Sequence, residues 1–218
     1  MIARRDFLRT AAAAALGAVV PAGAQAARRL RAAPASAALV GSAHPRTEVW
    51  AYEAAVPGPQ LRFKQGDRLR IDVENALPQE TTVHWHGIRL PNKMDGVGGV
   101  TQAPIESGER FTYEFALPDA GTYWYHPHFA SPGQVGRGLY GPLIVDEAAP
   151  PAVDRDITWV LGDWRLDRSA RIVDDFGAFV DASHGGRIGN TVTVNGAIRD
   201  SFDMVAGERI RLRLVNAA

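Results

Sequence analysis

Two eleven-residue stretches of this chain match without a gap at an offset of 141 residues. Gly66-Asp67-Arg68-Leu69-Arg70-Ile71-Asp72-Val73-Glu74-Asn75-Ala76 aligns with Gly207-Glu208-Arg209-Ile210-Arg211-Leu212-Arg213-Leu214-Val215-Asn216-Ala217. In the first copy Leu69, Ile71 and Val73 alternate with Arg70, Asp72 and Glu74, the period-two pattern of a strand with one face in a core. Alternation alone does not account for the matching glycine, asparagine and alanine positions. The chain therefore reads as two related units in tandem. Each copy also follows a turn-like tripeptide, Val56-Pro57-Gly58 and Val194-Asn195-Gly196.

Short strands between turn residues fill the rest, with no convincing amphipathic helix. Phe111, Tyr113 and Phe115 alternate with Thr112 and Glu114; Pro118-Asp119-Ala120-Gly121 is a turn, and Leu143-Ile144-Val145 is a short apolar strand. Ile157, Trp159 and Leu161 begin another that ends at Gly162-Asp163-Trp164. This spacing predicts an all-β fold, a β-sandwich or Greek-key barrel. Residues 27–47, rich in Ala and Arg without steady period, are expected to be a flexible arm. Residues 48–147 form the first domain in this reading, 148–155 (Ala-Ala-Pro-Pro-rich) a linker, and 156–218 the beginning of a second domain. The first unit runs on to residue 147 after its repeated strand, whereas the second stops at Ala218. The expectation is a truncated second domain, the front part of a longer protein.

Arg4-Arg5-Asp6-Phe7-Leu8-Arg9, an apolar run from Ala11 to Val20 and Ala24-Gln25-Ala26 have the layout of an export signal. The arginine pair predicts a twin-arginine signal peptide over residues 1–26, with a plain secretory signal the alternative; either implies a bacterial periplasm or beyond. The apolar run is too short for a convincing membrane span, so none is expected after cleavage. Cleavage would remove three arginines and one aspartate from 24 basic and 24 acidic residues, leaving a net charge of −2. That balance gives no support to a nucleic-acid or anionic-membrane partner.

Four of the six histidines lie in two pairs, His84-Trp85-His86-Gly87 and His126-Pro127-His128. In a strand, side chains at i and i+2 share a face, so each pair is a two-pronged imidazole fork. Two forks 40 residues apart can converge if their strands meet. Imidazole suits copper, zinc, iron and nickel alike. Trp85 and Pro127 should then face away and pack the barrel, while Trp124 shares parity with His126 and is placed to wall the site. Met94, His44 and His184 sit in loop or turn-rich segments and are not expected to be ligands.

From about Val56 to Val145 these motifs resemble the multicopper oxidases, which are built from cupredoxin domains. Thr82-Val83-His84-Trp85-His86-Gly87, Asp95-Gly96 and Gly121-Thr122-Tyr123-Trp124-Tyr125-His126-Pro127-His128 carry the resemblance. It implies a cupredoxin-like Greek-key β-sandwich or barrel, one complete domain plus the start of another. It also implies an enzyme passing electrons from a small reductant, phenolic or a metal ion, through a type 1 copper to a trinuclear copper cluster that reduces dioxygen to water. By motif, His84 resembles the type 2 copper ligand, and His86, His126 and His128 resemble ligands of the type 3 pair. Asp95 matches an acidic position that relays protons to the cluster; an Asp-Gly turn residue is the alternative.

The departures are as informative. A type 1 copper needs a cysteine thiolate, and the chain has no cysteine. The motifs supplying the other four cluster histidines are missing too. The 218-residue product alone is expected to hold half a cluster and not to turn over. A non-enzymatic copper-binding protein of the same fold is the alternative. A copper nitrite reductase is disfavoured, because its first domain would carry the type 1 cysteine.

Overall fold

A computed structural model describes residues 28–218; the expected export signal lies outside the described residues. Eleven strands form three sheets: β1 (Arg28–Ala37), β2 (Thr47–Tyr52), β3 (Leu61–Lys64), β4 (Arg68–Asn75), β5 (His84–His86), β6 (Arg110–Ala116), β7 (Gly121–His126), β8 (Gly141–Asp146), β9 (Arg155–Trp164), β10 (Thr191–Val194) and β11 (Ile210–Asn216). The orders are β2-β1-β4-β6, β3-β8-β7-β5 and β10-β9-β11. Two short α-helices, Ser131–Gly136 and Phe179–Ser183, and a 3-10 turn, Asn92–Met94, complete the regular structure of the described residues.

The first two sheets close on one core. Leu30, Tyr52, Leu69, Ile71, Val73, Tyr113 and Phe115 come from one sheet, and Leu61, Phe63, Trp85, Tyr125, Leu143 and Val145 from the other. Alternate residues of each strand point inward, as the alternation in β4 and β6 predicts. The third sheet packs outside this sandwich through a second core of Val49, Ala51, Tyr140, Val160, Trp164 and Val215.

The segment expected to be a flexible arm is instead the strand β1, central in its sheet. It pairs antiparallel with β2 and parallel with β4. Its pattern hides because the covered face changes along the strand. Leu30 and Ala32 enter the first core, while Ala35 and Ala37 lie against the second. Arg29 and Arg31 stay exposed between the buried residues of the first half, so no single alternation runs the length of the strand.

The repeat extends to topology. β9 pairs antiparallel with β10 and parallel with β11, as β1 does with β2 and β4. The matching Asn-Ala pairs do the same work twice: the Ala76 N–H donates to the Ala32 carbonyl (2.8 Å) and the Ala217 N–H to the Leu161 carbonyl (2.9 Å). The Asn75 and Asn216 side-chain oxygens each accept from the N–H two residues on, at 3.0 and 3.1 Å. One pairing from the sequence is corrected. The counterpart of Val194-Asn195-Gly196 is Tyr52-Glu53-Ala54, not Val56-Pro57-Gly58. Asn195 and Gly196 have φ of 52° and 77°, Glu53 and Ala54 of 51° and 57°, the left-handed pair that lets a two-residue turn match strand twist.

The copies differ in which face is covered. In β4 the row Leu69, Ile71, Val73 is buried, whereas the equivalent Leu212 and Leu214 of β11 are exposed. Arg213 and Val215 of β11 face the sandwich instead. Arg213, 3% exposed, donates to both Asp156 oxygens (2.7 and 2.9 Å) and to the Thr122 hydroxyl on β7 (3.0 Å). Arg62 on β3 bridges Asp146 and Asp156, each at 2.8 Å. A charged clamp thus ties the third sheet to the sandwich.

Candidate metal centre

β5 and β7 run antiparallel with His84 opposite His126, Trp85 opposite Tyr125 and His86 opposite Trp124. Cross-strand partners share a face. The two histidine segments therefore meet through sheet register alone. One ring nitrogen from each of His84, His86 and His126 lies within 4.8 Å of the other two.

His128 takes a different position. β7 ends at His126, so the second pair is not a simple fork on one strand. The His128 N–H donates to the Thr82 hydroxyl at 3.1 Å, beside a bridge between Val97 and His128. Its ring lies next to His84, with centroids 5.3 Å apart, and 6.3 Å from His126. All four imidazoles thus gather on one side of the sandwich, with His128 at the rim.

The tautomers follow from the acceptors. His84 Nδ1 lies 2.7 Å from the Asp95 main-chain oxygen. A carbonyl only accepts, so Nδ1 carries the hydrogen, and in the neutral tautomer Nε2 is the nitrogen left for a metal. His126 Nδ1 lies 2.9 Å from the Pro127 carbonyl, which frees its Nε2 in the same way. That Nε2 is 3.3 Å from His86 Nδ1. Burial pushes the His126 imidazole down to about 4, aided by His84, His86 and His128 and opposed by the Pro127 carbonyl. Burial, with His84 and His128, lowers His86 too. These two imidazoles are neutral at neutral pH, the state a metal requires. A cluster of imidazoles with converging ring nitrogens suits copper or zinc.

Asp95 stands against the first fork, its Oδ1 3.3 Å from His84 Nδ1. Gly96 sets that approach. A Cβ there would lie 1.9 Å from the Val83 carbonyl oxygen, and its φ is 77°, so only glycine brings the loop this near. Behind the site Trp85 is fully buried among Tyr113, Phe115 and Tyr125. The Tyr113 hydroxyl accepts the Val83 N–H at 3.0 Å. Thr82, Gly96 and Tyr113 escaped sequence reasoning as supports of the site. The Thr82-Val83 and Asp95-Gly96 segments flanking it were the only available signal. His44 and His184 are outside the group, and Met94 instead lies with its sulfur 3.5 Å from the Glu114 N–H.

Residues 36–150 match the family model described as multicopper oxidase. "Copper resistance protein A" of Escherichia coli is 45% identical over 111 residues, covering 50% of this chain and 18% of that protein. "Multicopper oxidase MmcO" of Mycobacterium tuberculosis is 36% identical over 196 residues, 77% of this chain and 38% of that protein. The crystal structure of a multi-copper oxidase from Pseudomonas thermotolerans superposes with a TM-score of 0.82 at 42% identity, over 87% of this chain and 46% of that one. The chain spans under half the length of each of these proteins.

Proposed function

The chain belongs to the multicopper oxidase family, and we propose that His84, His86, His126 and His128 are its share of a trinuclear copper cluster. The supporting observation is the convergence of three imidazoles across the β5–β7 register, their ring nitrogens within 4.8 Å. Bound copper would supply one-electron redox chemistry and positions open to dioxygen. The protein's part is to hold the rings. The Asp95 carbonyl fixes His84 and the Pro127 carbonyl fixes His126, each presenting Nε2, while His86 presents Nδ1. His84 is assigned to the type 2 ion and the other three histidines to the type 3 pair. The Asp95 carboxylate, beside the His84 ring, is placed to hand on protons as dioxygen is reduced to water.

The complete protein in this reading is a periplasmic oxidase of small reductants, phenols or metal ions. The arginine-pair signal over residues 1–26 supports export. The similarity to a protein named copper resistance protein A supports a role toward copper. Without a cysteine for a type 1 site, this chain by itself is a copper-binding protein that does not turn over.

Copper(II) titration of the metal-free chain tests this, read by metal analysis after dialysis and by electron paramagnetic resonance with an oxygen electrode alongside. Copper retained by the wild type and lost in His84→Ala and His126→Ala is expected, without oxygen uptake on phenolic or cuprous reductants. Copper retained equally by the variants would refute the site. Rapid oxygen uptake by the chain alone would refute the half-cluster reading.

A further inference from the structure

We propose that Trp124 is a positioning residue for this centre: its indole holds the His86 and His126 rings in the orientation that receives metal, and the third sheet holds the indole. The inference rests on the copper reading above.

The strand geometry sets up the contact. Trp124 and His126 share a face of β7, and register places Trp124 opposite His86. The indole stacks on His126 with centroids 4.0 Å apart and planes 23° from parallel. It lies over His86 at 4.9 Å and 32°. One flat side chain thus backs two imidazoles whose nitrogens approach each other at 3.3 Å.

The two rings differ in how much else holds them. His126 has the Pro127 carbonyl on its Nδ1. Among the described residues, His86 has no hydrogen-bond contact beyond that with His126 Nε2, which fixes nothing when both nitrogens carry lone pairs. Metal-binding imidazoles are ordinarily oriented by an acceptor on their second nitrogen. At His86 the indole, tilted by 32° against the ring, takes over that task, since a flat group packed at 4.9 Å resists rotation of the imidazole.

The indole is itself seated from the far side. Trp124 packs against the second core, where Val160, Trp164 and Val215 come from β9 and β11. Two residues earlier in β7, Thr122 accepts from the buried Arg213 of β11. The third sheet contributes no ligand, yet it fixes the strand and the ring that set the ligand geometry.

The test compares the full chain with Trp124→Leu and Trp124→Phe. In the metal-free wild type, the ring protons of His126 and His86 should be shifted upfield by the indole in NMR spectra. Trp124→Leu should remove those shifts and weaken copper(II) binding by roughly 10-fold or more against a competing chelator, and Trp124→Phe should restore affinity to within about 3-fold because a flat ring is what matters. Absence of upfield shifts in the wild type would overturn the proposal, whatever the variants do. So would a folded Trp124→Leu protein with unchanged affinity, or a Trp124→Phe protein as weak as the leucine variant. Failure of the copper reading looks different: the wild type would bind no copper while the ring shifts remained.

Discussion

His84 is oriented by the main-chain carbonyl of Asp95, 2.7 Å from its Nδ1, with the Asp95 carboxylate at 3.3 Å. The stronger contact does not depend on the side chain. Asp95→Ala should therefore leave copper affinity within about 3-fold of wild type, since the acceptor that matters survives. Gly96→Ala should do the opposite. Its new Cβ would meet the Val83 oxygen at 1.9 Å in a left-handed backbone, so the loop must retreat from His84. Stability should fall by more than about 1 kcal/mol and affinity by at least about 10-fold. Denaturant melts and chelator competition on both variants check the contrast. Equal affinity in the two would show that the carbonyl is not the orienting group.

The repeated asparagines make a second contrast. Asn75 is fully buried; its amide donates to the Gln79 and Ile105 carbonyls, each at 2.8 Å, and its oxygen accepts the Leu77 N–H. Asn216 keeps only the equivalent of the last bond, to the Ala218 N–H, and is exposed. Asn75→Ala removes all three bonds and strands the buried Leu77 N–H, while the Ile105 carbonyl keeps the Thr81 N–H, and should cost about 2 kcal/mol or more. Asn216→Ala should cost under about 0.5 kcal/mol. Urea unfolding followed by tryptophan fluorescence measures both, and similar losses would contradict the account.

What sequence disclosed depended on whether a strand keeps one face covered along its length. β4 and β6 have one face in the core, so alternation marked Leu69 to Val73 and Phe111 to Phe115. β1 switches its covered face midway, and its small alanines concealed it; its counterpart β9, with Ile157, Trp159 and Leu161, was plain. Three histidines were placeable because period two and strand pairing are local rules. His128 departed from its fork because β7 stops at His126. The partners of the rings are mainly backbone carbonyls of Asp95 and Pro127, and every residue has a carbonyl, so no residue type announces them. Arg213 was hidden likewise: a buried arginine reads as a solvated one until Asp156 is found beside it.

Trp85 separates packing from polarity behind the site. Its ring is fully buried and its indole N–H has no hydrogen-bond partner among the described residues. An unpaired buried donor offsets part of what the ring contributes. Trp85→Ala should cost about 3–5 kcal/mol. Trp85→Phe keeps the edge-to-face contacts with Tyr113 and Phe115 and removes the stranded donor, so its cost should stay near 1 kcal/mol. Thermal melts of the two variants decide it. A phenylalanine variant as unstable as the alanine one would show that the indole N–H has a partner after all.

Acid should loosen the third sheet from the sandwich. Hydrogen bonds from Arg213, with a further contribution from Arg62, hold the Asp156 carboxyl down to about 2 against the opposing effect of burial. Arg211 lowers Glu147 to about 2 in the same region. In an unfolded chain these groups titrate near 3.9 and 4.3. Below those values the unfolded chain binds more protons than the folded one, so the stabilisation is present above about pH 4 to 5 and lost as the pH falls toward 2. Asp156→Asn takes away one of the two carboxylates and leaves Arg213 buried with a neutral partner there and only Asp146, 3.8 Å away, as a counter-charge. At pH 7 it should cost about 3 kcal/mol, as breaking a buried pair does. Between pH 5 and 2 its stability should then decline less steeply than that of the wild type. Urea melts across that range read the slope directly, and parallel slopes in the two proteins would mean that the clamp does not control acid unfolding.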